Sequence, residues 1–129
     1  MSKYLFLGVA LGVIFSTLLF ADTNETQIYK YKVEVQASTL KPNGKSWDIS
    51  GGAPDMVLTV DNEIAYSQVN CHNRYRCTFE IFSKNVSWYF EVYDRDVVNH
   101  DIIGVGECSL AYEPCKIGKA TIKVTLDEQ

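Results

Sequence analysis

The segment "VYDRDVVNHDIIG", residues 92–104, sets Asp94, Asp96 and Asp101 between a strand-like run and an apolar dipeptide followed by glycine. On extended backbone, residues two apart point to the same side, so Asp94 and Asp96 share a face. Asp101 returns after four intervening residues, "VVNH", which lets three carboxylates face one another across a loop. Two like charges about 4 Å apart repel by roughly 4 kcal/mol at an effective dielectric of about 20, so such a cluster calls for a cation at its centre. Calcium suits it, being a hard ion that takes roughly six to eight oxygens from carboxylates, carbonyls and water. The competing account is that aspartate favours turns, where its side chain caps its own backbone. A second acidic loop, "KSWDISGGAPDMVLTV", places Asp48 and Asp55 on either side of a glycine-rich turn, the latter directly before a strand-like run.

The elements that must position these loops read as strands. In "IYKYKVEVQAST" Tyr29, Tyr31, Val33, Val35 and Ala37 alternate with Lys30, Lys32, Glu34 and Gln36, the period-two pattern of a half-buried strand. "MVLTV" and "EIAYSQV" flank the two-residue turn signal "DN", which predicts a hairpin. "CTFEIF", "WYFEVY" and "ATIKVTL" alternate in the same way. No sustained helical period follows residue 21, and strand signals recur at the short spacing of a sandwich or barrel, so the fold class is all-β. One domain, residues 28–127, accounts for these signals, and a core of that size needs no help from oligomers; a monomer is expected.

The N-terminus has Lys3, an apolar stretch from Tyr4 to Phe20, and Ala21 before the first acid, Asp22. This is the anatomy of a secretory signal peptide over residues 1–21, which predicts a secreted or periplasmic protein. The alternative is an uncleaved membrane anchor, since 17 residues are just long enough to span a bilayer. Residues 1–21 hold one lysine and no acid, so the remainder carries 11 bases against 16 acids. That balance gives no support for nucleic-acid binding. Four cysteines, Cys71, Cys77, Cys108 and Cys115, follow the apolar stretch, and an even number in an oxidising compartment reads as two disulfides. Three pairings are possible; the local pairs Cys71–Cys77 and Cys108–Cys115 are preferred because each closes a short loop beside a strand. Loops of that size contribute only about 2.4 kcal/mol each, so the bonds trim loops and do not carry the whole fold.

"WDISGGAPDMVLTV" followed by "WYFEVYDRDVVNHDIIGVGEC" resembles the C2 domain, the calcium-dependent phospholipid-binding β-sandwich of protein kinase C and the synaptotagmins. The resemblance spans about residues 28–127 and rests most on "VYDRD…HDIIG". It implies an antiparallel, eight-stranded β-sandwich with calcium bound between loops at one end. By the same resemblance Asp48 and Asp55 would be ligands from one loop, Asp94, Asp96 and Asp101 ligands from another, and the Arg95 carbonyl a further oxygen. Ile49, Val97 and Val98 stand where such domains insert apolar side chains into a membrane once calcium has cancelled the carboxylate charge. The chain departs from the pattern in having one extra residue between Asp48 and Asp55 and one fewer between Asp96 and Asp101.

Two function classes follow. One is an exported calcium-binding module that engages an anionic phospholipid surface or a protein partner through calcium-loaded loops. The other is a structural or protein-interaction sandwich in which calcium is absent or merely stabilising. An enzyme is disfavoured: His72 and His100 are the sole histidines, and no serine or cysteine nucleophile motif accompanies either.

Overall fold

The computed structural model describes residues 27–48, 51–96 and 100–127. The signal-peptide expectation for residues 1–21 and the membrane-contact expectation for Ile49, Val97 and Val98 lie outside the described residues. Eight strands are present among those described: β1 (Tyr29–Ala37), β2 (Met56–Val60), β3 (Glu63–Ile64), β4 (Arg76–Ser83), β5 (Ser87–Asp94), β6 (Asp101–Ser109), β7 (Cys115–Ile117) and β8 (Ala120–Leu126). They form two four-stranded sheets, in the orders β4-β1-β8-β7 and β3-β2-β5-β6, with every pairing antiparallel. The all-β class expected from the alternation and the eight-stranded antiparallel sandwich implied by the resemblance are the observed architecture.

Alternation explains the core. In β1, Tyr31, Val33, Val35 and Ala37 are buried, and β8 supplies Ala120, Ile122 and Val124 beside them. From the other sheet Leu58, Trp88, Phe90 and Val92 face them. Trp88 meets the Tyr31 ring edge-on, with centroids 5.0 Å apart and planes at 67°, a geometry worth about 0.5–1.5 kcal/mol beyond burial alone. The indole N–H of Trp88 donates to Ser83 Oγ at 2.9 Å, so the buried ring leaves no polar atom unpaired. Trp47, also buried, donates from its indole to the Ser38 carbonyl at 2.7 Å.

The "DN" hairpin is present: Thr59 pairs with Ile64 and Val60 with Glu63, and Asp61 and Asn62 have φ of 48° and 73°. Positive φ at both central residues is what a tight hairpin turn requires, and Asn and Asp tolerate it. The strand expected over "EIAYSQV" stops after two residues. Beyond it the chain leaves β2 and crosses to the other sheet, where the Tyr66 carbonyl accepts from Glu80 N–H at 2.8 Å and Ser67 Oγ donates to the Thr78 carbonyl at 2.7 Å. Long-range hydrogen bonds to β4 thus outcompete extension of the hairpin.

A bulge in β6 positions the acidic end of the sandwich. Trp88, Phe90 and Val92 pair with Cys108, Gly106 and Gly104, but Tyr93 then pairs with Ile102 and Asp94 with Asp101, leaving Ile103 as an extra residue. Side chains alternate along a strand, so one inserted residue exchanges the two faces of everything beyond it. Were Ile103 paired in regular register instead, Ile102 would stand opposite Asp94 and Asp101 would fall on the other face. The bulge is gripped from the opposite sheet: Lys119 N–H donates to the Ile103 carbonyl at 2.8 Å. Gly104 permits that approach, since a Cβ there would overlap the Ile117 carbonyl oxygen.

Candidate metal centre

Asp94 is the last residue of the inward row Trp88, Phe90, Val92, which is why an aspartate ends up 3% exposed. Directly across the ladder is Asp101, the first residue of β6, and cross-strand partners present their side chains on one face. Asp96 lies two residues beyond Asp94. One carboxylate oxygen from each of Asp94, Asp96 and Asp101 falls within 4.8 Å of the others. Two oxygens on opposite sides of a calcium ion, each at about 2.4 Å, are separated by about that distance, so the three fit around one such ion.

The first acidic loop is stitched to this group through its backbone. Asp55 N–H donates to Asp94 Oδ1 at 2.8 Å, and Arg95 N–H donates back to the Asp55 carbonyl at 2.9 Å. Among the described residues no donor meets the other oxygen of Asp94. The side chain of Asp55 is engaged elsewhere: its Oδ1 accepts from Asn73 N–H at 2.7 Å and lies 3.5 Å from His72 Nδ1. Asn73 in turn accepts from Ala53 N–H at 3.0 Å. The Cys71–Cys77 disulfide closes the segment carrying His72 and Asn73, so this bond braces Asp55 from behind. The second disulfide joins Cys108 to Cys115, and no free cysteine remains. Both local pairs preferred from the sequence are therefore formed, as fits an oxidising extracellular compartment.

Of the residues singled out from the sequence, Asp94, Asp96 and Asp101 come together and Asp55 stands beside them by backbone contact. Asp48 is exposed and outside the group. Its carbonyl accepts from Gly51 N–H and Ser46 Oγ, both at 3.0 Å, which shapes the turn that leads to Asp55. His100 serves the other loop: its Nδ1 accepts from Asp96 N–H at 3.2 Å, and its ring stands against Tyr93 with centroids 5.2 Å apart.

Sequence reasoning passed over Lys41. Its Nζ lies 2.6 Å from Asp101 Oδ2. That hydrogen bond is the main reason the Lys41 ammonium is held above its ordinary pKa; burial opposes it, and the charges of Asp101, Asp96 and Asp94 add to it. Asp94 is pushed up from 3.8 to about 6, chiefly by burial; the Asp55 N–H opposes the shift, and the charges of Asp96, Asp55 and Asp101 reinforce it. Burial and converging negative charge raise a carboxyl pKa in cation sites. Burial of acids for purely structural reasons raises pKa as well, so geometry and not titration carries the assignment.

No protein-family model matches the chain, and no curated protein matches it in sequence.

Proposed function

We propose that this protein is an exported, C2-like calcium-binding module that engages an anionic phospholipid surface through the loops at the Asp94 end of the sandwich. The observation that carries this reading is the buried Asp94 carboxylate, with one oxygen lacking a donor among the described residues, set within 4.8 Å of Asp96 and Asp101 oxygens. Burying a charge without a partner costs several kcal/mol, and a divalent ion is the partner that three converging carboxylates would take. The Arg95 carbonyl, Asp48 and Asp55 would complete the shell once the ion draws the loops together. Weak affinity suffices outside the cytosol, where dissociation constants near 10⁻⁴ to 10⁻³ M are typical of extracellular modules. Binding, not catalysis, is the role.

Phosphatidylserine vesicles sedimented with the protein test the ligand. Co-sedimentation in calcium that is abolished by chelator supports the lipid reading; calcium uptake without sedimentation moves the assignment to a protein partner. A second reading, a structural or protein-interaction sandwich with no ion, is favoured by the Lys41–Asp101 pair, which already places one positive charge beside the cluster.

A further inference from the structure

The two readings meet in one residue. Lys41 lies on a loop closed on itself, with Lys41 N–H donating to the Lys45 carbonyl at 2.8 Å and Gly44 N–H donating to the Lys41 carbonyl at 2.9 Å. Asn43 Oδ1 accepts from Lys45 N–H at 3.0 Å, and Gly44 adopts φ of 83°, so the turn is held by three bonds and a glycine suited to it. The buried Trp47 lies against the same depression as Lys41, Pro42, Asp101 and Ile102. The Lys41 side chain is 24% exposed, and its head reaches Asp101 Oδ2 at 2.6 Å.

We infer that Lys41 is a tethered cation occupying the place an incoming metal ion must take, so that ion uptake is an exchange in which the Lys41 ammonium leaves Asp101. This rests on the calcium reading proposed above and adds to it a residue that sets the site's threshold. Two features point to a cation here: the ammonium already seated on Asp101, and the Asp94 carboxylate of the same group, 3% exposed with one of its two oxygens lacking a donor among the described residues. A charge fixed to its own loop has a high effective concentration, so a free ion must displace it as well as desolvate. A divalent ion can replace a single ammonium because it interacts with all three carboxylates at once, whereas Lys41 bonds only to Asp101. With calcium absent, the lysine keeps the first loop and the start of β6 together; with calcium bound, the Lys41 side chain is released from Asp101 and the ion links the two in its place.

Calcium chloride titrated calorimetrically into the wild type, K41M and K41R tests the exchange. K41M keeps the stem and removes the charge, and its calcium affinity should rise by roughly 5- to 150-fold, the usual range for coupled sites. K41R keeps the charge and should stay near the wild type. Equal affinities for K41M and wild type would overturn the exchange and leave the calcium site standing. Tighter binding by both variants would assign the effect to the loop and also overturn it. Absence of binding in all three proteins at calcium of about 10 mM, above the weakest extracellular modules, would overturn the site itself. Binding by K41M alone at that concentration would also overturn the exchange, since the native ammonium would then not yield to calcium. Near-ultraviolet circular dichroism in chelator would register any failure of a variant to fold.

Discussion

The two ends of β5 are equally buried and oppositely equipped. Trp88 near its start is 2% exposed and Asp94 at its end 3%, on the same inward row of the same strand. Trp88 packs against Tyr31 and Phe90 and satisfies its one polar atom on Ser83. Asp94 satisfies one oxygen on the Asp55 backbone and turns toward two further carboxylates. The contrast separates burial that stabilises from burial that costs: one end of the row holds the sandwich together, while the other gathers carboxylates that repel one another.

Substitutions at the two ends should move stability in opposite directions. Truncation of Trp88→Ala should cost about 3–5 kcal/mol in urea denaturation, since it opens a cavity between the sheets. Asp94→Asn should instead stabilise the calcium-free protein at pH 7.5. The folded-state pKa of Asp94, about 6, exceeds its ordinary 3.8, so its contribution is full below the lower value and lost as pH rises through the higher. Above that window the ionised group costs on the order of 3 kcal/mol, and the gain in Asp94→Asn should shrink toward pH 4.5. A gain independent of pH would break the comparison.

Removing Cys71–Cys77 by double substitution to serine should lower stability by about 2 kcal/mol, close to the loop-closure value. Calcium affinity should fall with it, because Asn73 and His72 would no longer hold Asp55 in place; the corresponding change at Cys108 and Cys115, away from the acidic end, should lower stability alone. The smallest effect belongs to Asp48→Asn, expected to stay within about 0.5 kcal/mol in chelator. Its calcium affinity should drop less than that of Asp94→Asn, a ranking that calorimetry can check directly.

The sandwich was legible because its strands alternate cleanly: Val33, Val35, Phe90, Val92, Ile122 and Val124 announce which face is buried. Asp94 and Asp96 were legible for the same reason, since period two fixes their side. The Ile103 bulge was not, because an extra residue in one strand leaves no mark on an apolar run such as Ile102-Ile103, and it is the omission of Ile103 from the ladder that brings Asp101 opposite Asp94. Lys41 was invisible too: it stands 60 positions from Asp101 in a polar loop, and the path of that loop is set by Trp47 and its own turn. The engagement of the Asp55 side chain by Asn73 depends on a disulfide-closed loop whose path no local pattern specifies. Strand periodicity reports on faces, whereas the site is made by contacts between loops.

The central claim, that the Asp94 end of β5 is a calcium site, is tested most directly by thermal melts of the wild type and an Asp94→Asn plus Asp96→Asn variant, in chelator and in calcium. At calcium about a hundredfold above the dissociation constant, the wild type should melt roughly 10 °C higher than in chelator, and the variant should show no shift. A wild type that melts at the same temperature in both conditions would contradict the account.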